Sequence, residues 1–439
     1  MDRLAMSELV SWKNSPNRMP LVIDGARQVG KTWLMREFGK LHYKNTVYIN
    51  LDDERKLHKI FEPDLNPQRL IKGLAFEKEQ EITPADTLII FDEIQECNRA
   101  LMSLKYFCEN APEYHIVSAG SLLGVAIHKE SSYPVGKVQT ISLHPLNFAE
   151  FMDAIGEPRY KKLLENKDYN LSYTIEERLI DALKHYYFVG GMPKAVLAFA
   201  ERSNLNDVRR IQEDILRNFE LDFSKHIDAP SIPKVGLLWE STPNQLAKEN
   251  KQFVYRDMKQ GARASQYESA FYWLDKVGLI HKVHRVETPN LPLSAYKKEA
   301  FKVYLLDVGL LSAKVKLTID NLKGGGTSVF SHFKGALTEQ YVLQELKASE
   351  RTIDICYWTN DRSKGIAEVD FLIQHNGEII PIEVKSSINL KAKSLRVYMD
   401  YYSPRVAIRT SLGRYGYHDS LCDIPLYLIG QFAKICLPS

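Results

Sequence analysis

An α/β protein with a parallel sheet at its core is what this sequence predicts, and three stretches carry that expectation. Pro20-Leu21-Val22-Ile23-Asp24 is a short apolar run suited to a strand buried on both faces. Gly25 to Thr32 then reads G-A-R-Q-V-G-K-T, and Thr32-Trp33-Leu34-Met35-Arg36-Glu37-Phe38 continues with apolar residues at helical spacing. Thr87-Leu88-Ile89-Ile90-Phe91-Asp92-Glu93 is a second buried strand, with acids at the end where open α/β sheets bind ligands.

The loop between the first strand and its helix fits G-x-x-x-x-G-K-[ST], the phosphate-cradling pattern of P-loop NTPases. Its glycines let backbone N–H groups turn toward phosphates without a Cβ in the way. The helix N-terminus adds partial positive charge. Gly25, Ala26, Arg27, Gln28, Val29, Gly30, Lys31, Thr32 and Trp33 are therefore the expected nucleotide contacts. Lys31 reaches the β- and γ-phosphates in this reading, and Thr32 holds Mg²⁺. Asp92 supports the same ion, directly or through water, and Glu93 orients and deprotonates the attacking water. A third strand, Tyr114 to Ala119, leads into Gly120-Ser121. Ser121 is the candidate γ-phosphate sensor, with Ser118 second; a serine that satisfies a helix N-terminus is the competing reading. Thr46 to Leu51 reads as a further strand, followed by the acidic Asp52-Asp53-Glu54 loop.

The 439 residues leave room for about three domains. An apolar fraction of 44% and a charged fraction of 26% are ordinary for a soluble globular chain, and a net charge of +3 is too small to imply nucleic acid by itself. Cys97, Cys108, Cys356, Cys422 and Cys436 form no C-x-x-C pair and no zinc spacing, so free thiols in a reducing cytosol are expected. The first residues lack a signal-peptide core, and no apolar run approaches the ~20 residues that span a bilayer. The sequence reads as cytoplasmic, with no membrane partner.

Four blocks resemble a family of prokaryotic AAA-type ATPases: G-A-R-Q-V-G-K-T, L-I-I-F-D-E-I-Q, S-A-G-S-L-L-G, and L-H-P-L-N-F-A-E-F at Leu143 to Phe151. F-V-G-G-M-P-K-A-V at Phe188 to Val196 is similar to a fifth. The resemblance implies an AAA-like core, a helical lid, ATP hydrolysis and a C-terminal region of uncharacterised function. The chain departs from the family pattern at Gly136-Lys137, where Gly-Arg is usual. A lysine offers charge there but no bidentate fork.

Glu157 to Leu221 has apolar residues three and four apart and reads as the lid helices. Pro243 to Asn250 reads as a short helix, Ser265 to Gly278 as a helix with a glycine C-cap, and Leu279 to Val286 as an alternating strand. Helix, turn, helix and wing is the winged-helix order. Lys248, Lys251, Arg256, Lys259, Arg263, His281, Lys282, His284 and Arg285 make this segment basic. DNA contact and a protein-packing role both fit, because the second helix is itself poor in Arg and Lys.

Phe301 to Leu311 matches another block of the same family, and Gly324-Gly325-Gly326 reads as a flexible joint. Glu339 lies on a helix, Asp370 in Ala367 to Ile373, and Glu383 and Lys385 in I-E-V-K-S. The arrangement resembles the PD-(D/E)xK nuclease-like fold. It implies that Asp370 and Glu383 share Mg²⁺, that Glu339 completes the acid cluster, and that Lys385 positions water and steadies phosphate charge. A solvated amphipathic strand is the alternative reading. Lys391, Lys393, Arg396, Arg405 and Arg409, interleaved with Tyr398, Tyr401 and Tyr402, suit a nucleic-acid backbone or a solvated helix equally.

The expected organisation is an AAA-type core at 1–155, a helical lid at 156–225, a winged-helix-like domain at 226–320 and a restriction-endonuclease-like α/β domain at 321–439. The expected function is an ATP-dependent switch or motor with ATP and Mg²⁺ as cofactors. DNA, a protein or a second copy of the chain are the candidate partners. An ATP-gated metal-dependent nuclease and a nucleotide-switched protein-interaction module are the rival readings.

Overall fold

The computed structural model describes residues 2–120, 133–248, 251–318, 331–349, 353–360, 367–388 and 391–437. The chain divides into one unit of Met1–His144 with Lys276–Gly278 and a second of Pro145–Asp275 with Leu279–Ser439.

The first unit is built on five parallel strands: β1 (Leu21–Asp24), β2 (Asn45–Asn50), β3 (Thr87–Asp92), β4 (His115–Ala119) and β5 (Gln139–Ser142). Their order is β2-β3-β4-β1-β5. Every residue of β3 is buried, as a continuous apolar run in the middle of a covered parallel sheet requires. Helices α1 (Leu4–Asn14), α2 (Lys31–His42), α3 (Pro67–Lys78) and α4 (Asn98–Asn110) surround the sheet sequence. α2 buries Leu34, Met35 and Phe38, and α4 buries Ala100, Leu101, Leu104 and Phe107; both sets recur three or four residues apart. Asn66 caps α3 through Arg69 N–H at 3.2 Å, ahead of Pro67 at the first helical position.

The second unit opens with α5 (Phe148–Ala154), α6 (Pro158–Asn166), α7 (Glu176–Val189), α8 (Pro193–Arg202) and α9 (Leu205–His226), helical as the spacing of apolar residues expects. Asn147 and Glu150 form a reciprocal capping box at the start of α5. α10 (Ile232–Leu246) begins earlier than expected and runs through Pro243. Its buried Val235, Leu238, Trp239, Thr242 and Leu246 hold the helical register. α11 (Ala264–Lys276) precedes a hairpin of β6 (Ile280–Val286) and β7 (Lys297–Leu305).

That hairpin, expected as a wing, continues a larger sheet. With β8 (Asp354–Asn360), β9 (Ala367–His375), β10 (Glu378–Val384), β11 (Ala407–Ser411), β12 (Gly416–His418) and β13 (Leu421–Pro425) it makes eight strands, ordered β12-β13-β11-β10-β9-β8-β6-β7. β6 pairs in parallel with β8. The five consecutive buried residues Phe301 to Leu305 need cover on both faces, which an isolated wing would not give. The expected borders at 225/226 and 320/321 both fall inside this unit. The glycine run at 324–326 lies outside the described residues.

The G-G-x-P element has a steric and polar reason. A Cβ on Gly191 would sit 2.0 Å from the backbone oxygen of Leu146, and one on Gly190 (φ 72°) would sit 2.1 Å from Asp307 Oδ1. Asp307, at the start of α12 (Val308–Lys314), accepts from Gly191 N–H at 2.6 Å and caps its own helix through Leu310 N–H at 3.0 Å. Gln344 on α13 (Ser331–Ser349) donates to the same carboxylate at 3.1 Å and to the Tyr186 hydroxyl at 2.9 Å. Glu345 accepts from Phe148 N–H at 2.7 Å. Blocks far apart in sequence thus meet in one buried hydrogen-bonded junction.

Free thiols were expected throughout, but Cys422 on β13 and Cys436 are joined by a disulfide. The strand and the short helix Phe432–Cys436 bring their Cα atoms to 6.5 Å, within bonding reach. Cys97, Cys108 and Cys356 are free. Among the described residues no helix is long and apolar enough to cross a membrane.

Candidate functional site

The loop after β1 has the backbone that its sequence demands. Gly25, Gln28 and Gly30 take positive φ, and Gly30 caps α2 in the left-handed region. A Cβ on Gly25 would meet the backbone oxygen of Leu143 at 2.3 Å, so only glycine fits there. Arg3, itself buried, braces the loop from behind by donating to Val29 O at 3.0 Å and to His144 O at 2.7 Å.

Lys31 is buried, and its ammonium folds back onto the loop's own carbonyls, Gly25 O at 2.6 Å and Ala26 O at 2.8 Å. Burial pushes it down to about 8, against the raising effect of Glu93, Asp92 and Asp24. Thr32 Oγ1 donates to Asp92 Oδ2 at 2.7 Å, which ties the start of α2 to the end of β3. Glu93 follows in the left-handed region, its carboxylate accepting from Gln95 Nε2 at 2.6 Å. The sequence-predicted Lys31, Thr32, Asp92 and Glu93 therefore converge. Trp33 is 44% exposed on the outer face of α2. Ser118 donates inward to Leu21 O at 3.1 Å, in the sheet rather than at the loop. Ser121 lies outside the described residues. Lys137 pairs with Glu109 at 2.9 Å, beside a cleft of about 350 Å³ lined by Met102, Tyr106 and Val135.

Tyr48, at the end of β2, was not anticipated. Its hydroxyl donates to Asp92 Oδ2 at 2.8 Å, so that oxygen takes two hydrogen bonds, and the Arg36 guanidinium lies 4.7 Å from the centre of the Tyr48 ring. The alternation of β2 and its pairing with β3, Tyr48 opposite Ile90 and Asn50 opposite Asp92, bring it there.

The second predicted cluster also assembles, with contents the sequence reading did not include. β9 and β10 pair antiparallel through Phe371 and Ile382, which sets Asp370 beside Glu383. Asp370 Oδ2 accepts from Val384 N–H at 2.8 Å, and Lys385 Nζ lies 2.5 Å from Glu383 Oε1. Lys302 on β7, fully buried, reaches Glu368 Oε1 at 2.5 Å and Glu339 Oε2 at 3.8 Å. Lys251 pairs with the other oxygen of Glu339, and the Tyr304 hydroxyl donates to Glu339 at 3.1 Å. Burial, then the charges of Glu339 and Glu383, push Asp370 well above the usual carboxylate range. Burial opposes ionisation of Glu339 too, but Lys251 and Lys302 hold it below its ordinary value.

The expected Mg²⁺ site at Glu339, Asp370 and Glu383 thus has lysines among its acids. Among the described residues no three acidic, histidine or cysteine side chains are disposed to hold a metal ion. Lysine ammonium groups engage both oxygens of Glu339 and one oxygen of Glu383. The alternating F-K-V-Y stretch signalled an inward Lys302, since Lys302 and Tyr304 share a face of a strand whose end is buried.

Several basic residues expected at a nucleic-acid surface have partners within the chain. Lys248 pairs with Asp257 and Arg285 with Glu287, and Lys282 lies over the Phe271 and Phe301 rings. Arg409 binds Asp423 through two bonds of 2.7 and 2.9 Å, and Arg405 pairs with Glu378.

Residues 17–152 match the family model described as AAA domain. Residues 180–321 and 334–429 match two domains of unknown function, DUF8612 and DUF4143. No curated protein sequence matches the chain. Solved structures similar to it include the Walker-type ATPase of Pyrococcus abyssi, at 14% identity and TM-score 0.44 over 72% of this chain and 95% of that one. Aeropyrum pernix ORC1 in complex with DNA has 13% identity and TM-score 0.29, over 71% of this chain and 90% of that one. The Thermotoga maritima RuvB Holliday junction branch migration motor has 12% identity and TM-score 0.29, over 66% and 90%. Residues 17–152 are thus similar to an AAA domain, and within them the glycine loop sits on a five-stranded parallel sheet.

Proposed function

We propose that the first unit binds and hydrolyses ATP and that the second unit is the output it switches. The observation that carries this reading is the Thr32–Asp92 hydrogen bond of 2.7 Å with Glu93 next in sequence, at the mouth of a loop that admits no Cβ at Gly25. The residues present fit Mg²⁺, because the hydroxyl and carboxylate of that pair are hard oxygen donors. When bound there, Mg²⁺ would neutralise charge building on the β- and γ-phosphates. Thr32 and Asp92 would hold the ion. Lys31 would leave the Gly25 and Ala26 carbonyls for the phosphates, and Glu93 would leave Gln95 to take a proton from the attacking water.

Lys31→Ala should abolish ATP binding in equilibrium dialysis; retained binding would refute the site. The wild type should also show a pH signature. Its free ammonium is present below about 8 and lost above it. ATP affinity should therefore hold up to about pH 8 and weaken above, by at most about tenfold per pH unit. Lys31→Arg should flatten that profile.

Tyr48 is assigned a positioning role, since it contacts Asp92 rather than the reacting atoms. Tyr48→Phe removes one hydrogen bond of about 1 kcal/mol from Asp92 Oδ2. Turnover should fall about fivefold and the unfolding free energy by about 1 kcal/mol, with ATP affinity nearly unchanged. A loss of stability with unchanged turnover would assign Tyr48 to the fold alone.

A DNA-responsive output is the second reading. It rests on Arg256, Lys259 and Arg263, which remain exposed ahead of α11. ATP turnover measured with and without duplex DNA at rising salt separates this reading from a protein-only output.

A further inference from the structure

We infer that the ammonium of Lys302, seconded by Lys251, is the resident cation of the acid cluster in the second unit, and that the cluster takes no divalent ion while both lysines are in place. This inference stands independently of the ATP site.

Position comes first. Lys302 is wholly buried and lies within ion-pairing distance of Glu339 and Glu368, with its ammonium 4.8 Å from the centre of the Tyr357 ring. Lys251 closes the same cluster from a side chain that is 17% exposed, next to the bridge between Gln252 and Lys302. Lys385 covers Glu383 Oε1. One polar atom is left over: Glu383 Oε2 is buried without a hydrogen-bond partner, on a residue only 4% exposed.

Charge balance decides the rest. The cluster holds four carboxylates (Glu339, Glu368, Asp370 and Glu383) and three ammonium groups (Lys251, Lys302 and Lys385). A divalent ion added to this set would leave excess positive charge among largely buried side chains, where uncompensated charge is strongly unfavourable. Without Lys302 the balance reverses. Two ammonium groups and one divalent ion then match four ionised carboxylates, and the unpartnered Glu383 oxygen gains a ligand.

The test is Mn²⁺ binding by the full chain without nucleotide, followed through the free-ion electron paramagnetic resonance signal. In the wild type, Asp370→Asn and Glu383→Gln should leave Mn²⁺ binding unchanged. Lys302→Met should bind Mn²⁺ at least about tenfold more tightly, because ligand charge sets affinity at oxygen sites, and adding Glu383→Gln should remove the gain. Should Lys302→Met fail to fold, Lys251→Met at the accessible edge should give a smaller gain of the same sign. Mn²⁺ binding by the wild type that weakens on Glu383→Gln would overturn the inference. So would a folded Lys302→Met variant with no gain.

Discussion

Glu93→Gln should bind ATP as tightly as the wild type and turn it over at least about a hundredfold more slowly, the usual scale of a lost general base. The substitution keeps the shape of the side chain and its contact with Gln95, so the left-handed turn at residue 93 has no reason to move. Thr32 and Asp92 are untouched, and the loop that grips phosphate stays braced by Arg3. Only the ability to accept a proton is lost. Steady-state phosphate release beside equilibrium dialysis of ATP measures both quantities. Normal turnover would remove Glu93 from the chemistry. Joint loss of binding and turnover would show instead that the turn had collapsed.

The nucleotide loop was legible in the sequence because its chemistry is local. Gly25, Gly30, Lys31 and Thr32 are neighbours in the chain, and the run Leu88 to Phe91 announces a buried strand whose next residue is Asp92. Tyr48 was not legible. It reaches Asp92 only because β2 pairs with β3, and strand order is a non-local fact. The second cluster shows the same division. Glu339, Asp370, Glu383 and Lys385 could be named from spacing, whereas Lys251 and Lys302 come from segments assigned to another domain. The hairpin that carries Lys302 reads as a wing until its edge is seen to pair with β8. Two separate cysteines gave no spacing signal for the pair Cys422–Cys436, which a strand and a following helix bring together.

Asp307→Ala should destabilise the second unit by about 3 kcal/mol or more, the largest stability effect expected outside the hydrophobic cores. Asp307 is fully buried, and its two oxygens serve Gly191 N–H, Leu310 N–H and the Gln344 amide together. Alanine would leave the Gly191 and Leu310 N–H groups without that acceptor in a buried junction and remove the cap of α12. Gly191→Ala should harm the same junction by sterics alone, since its Cβ would lie 2.0 Å from one backbone atom and 2.8 Å from another. The pH dependence supplies an independent signature. Burial holds Asp307 up at about 6, and Glu345 at about 8, both above their values in an unfolded chain. Each therefore contributes stability that is full below the unfolded value and is lost as pH rises through the folded one. The second unit should gain resistance to urea on acidification from pH 8 toward 5, opposite to the usual carboxylate trend. Asp307→Asn should lose the part of that gain that sets in below about pH 6, and Glu345→Gln the part that sets in below about pH 8. ATP binding by the Asp307→Ala protein checks that the first unit survives. A flat pH profile in the wild type, or an Asp307→Ala protein as stable as its parent, would show that this junction does not hold the unit together.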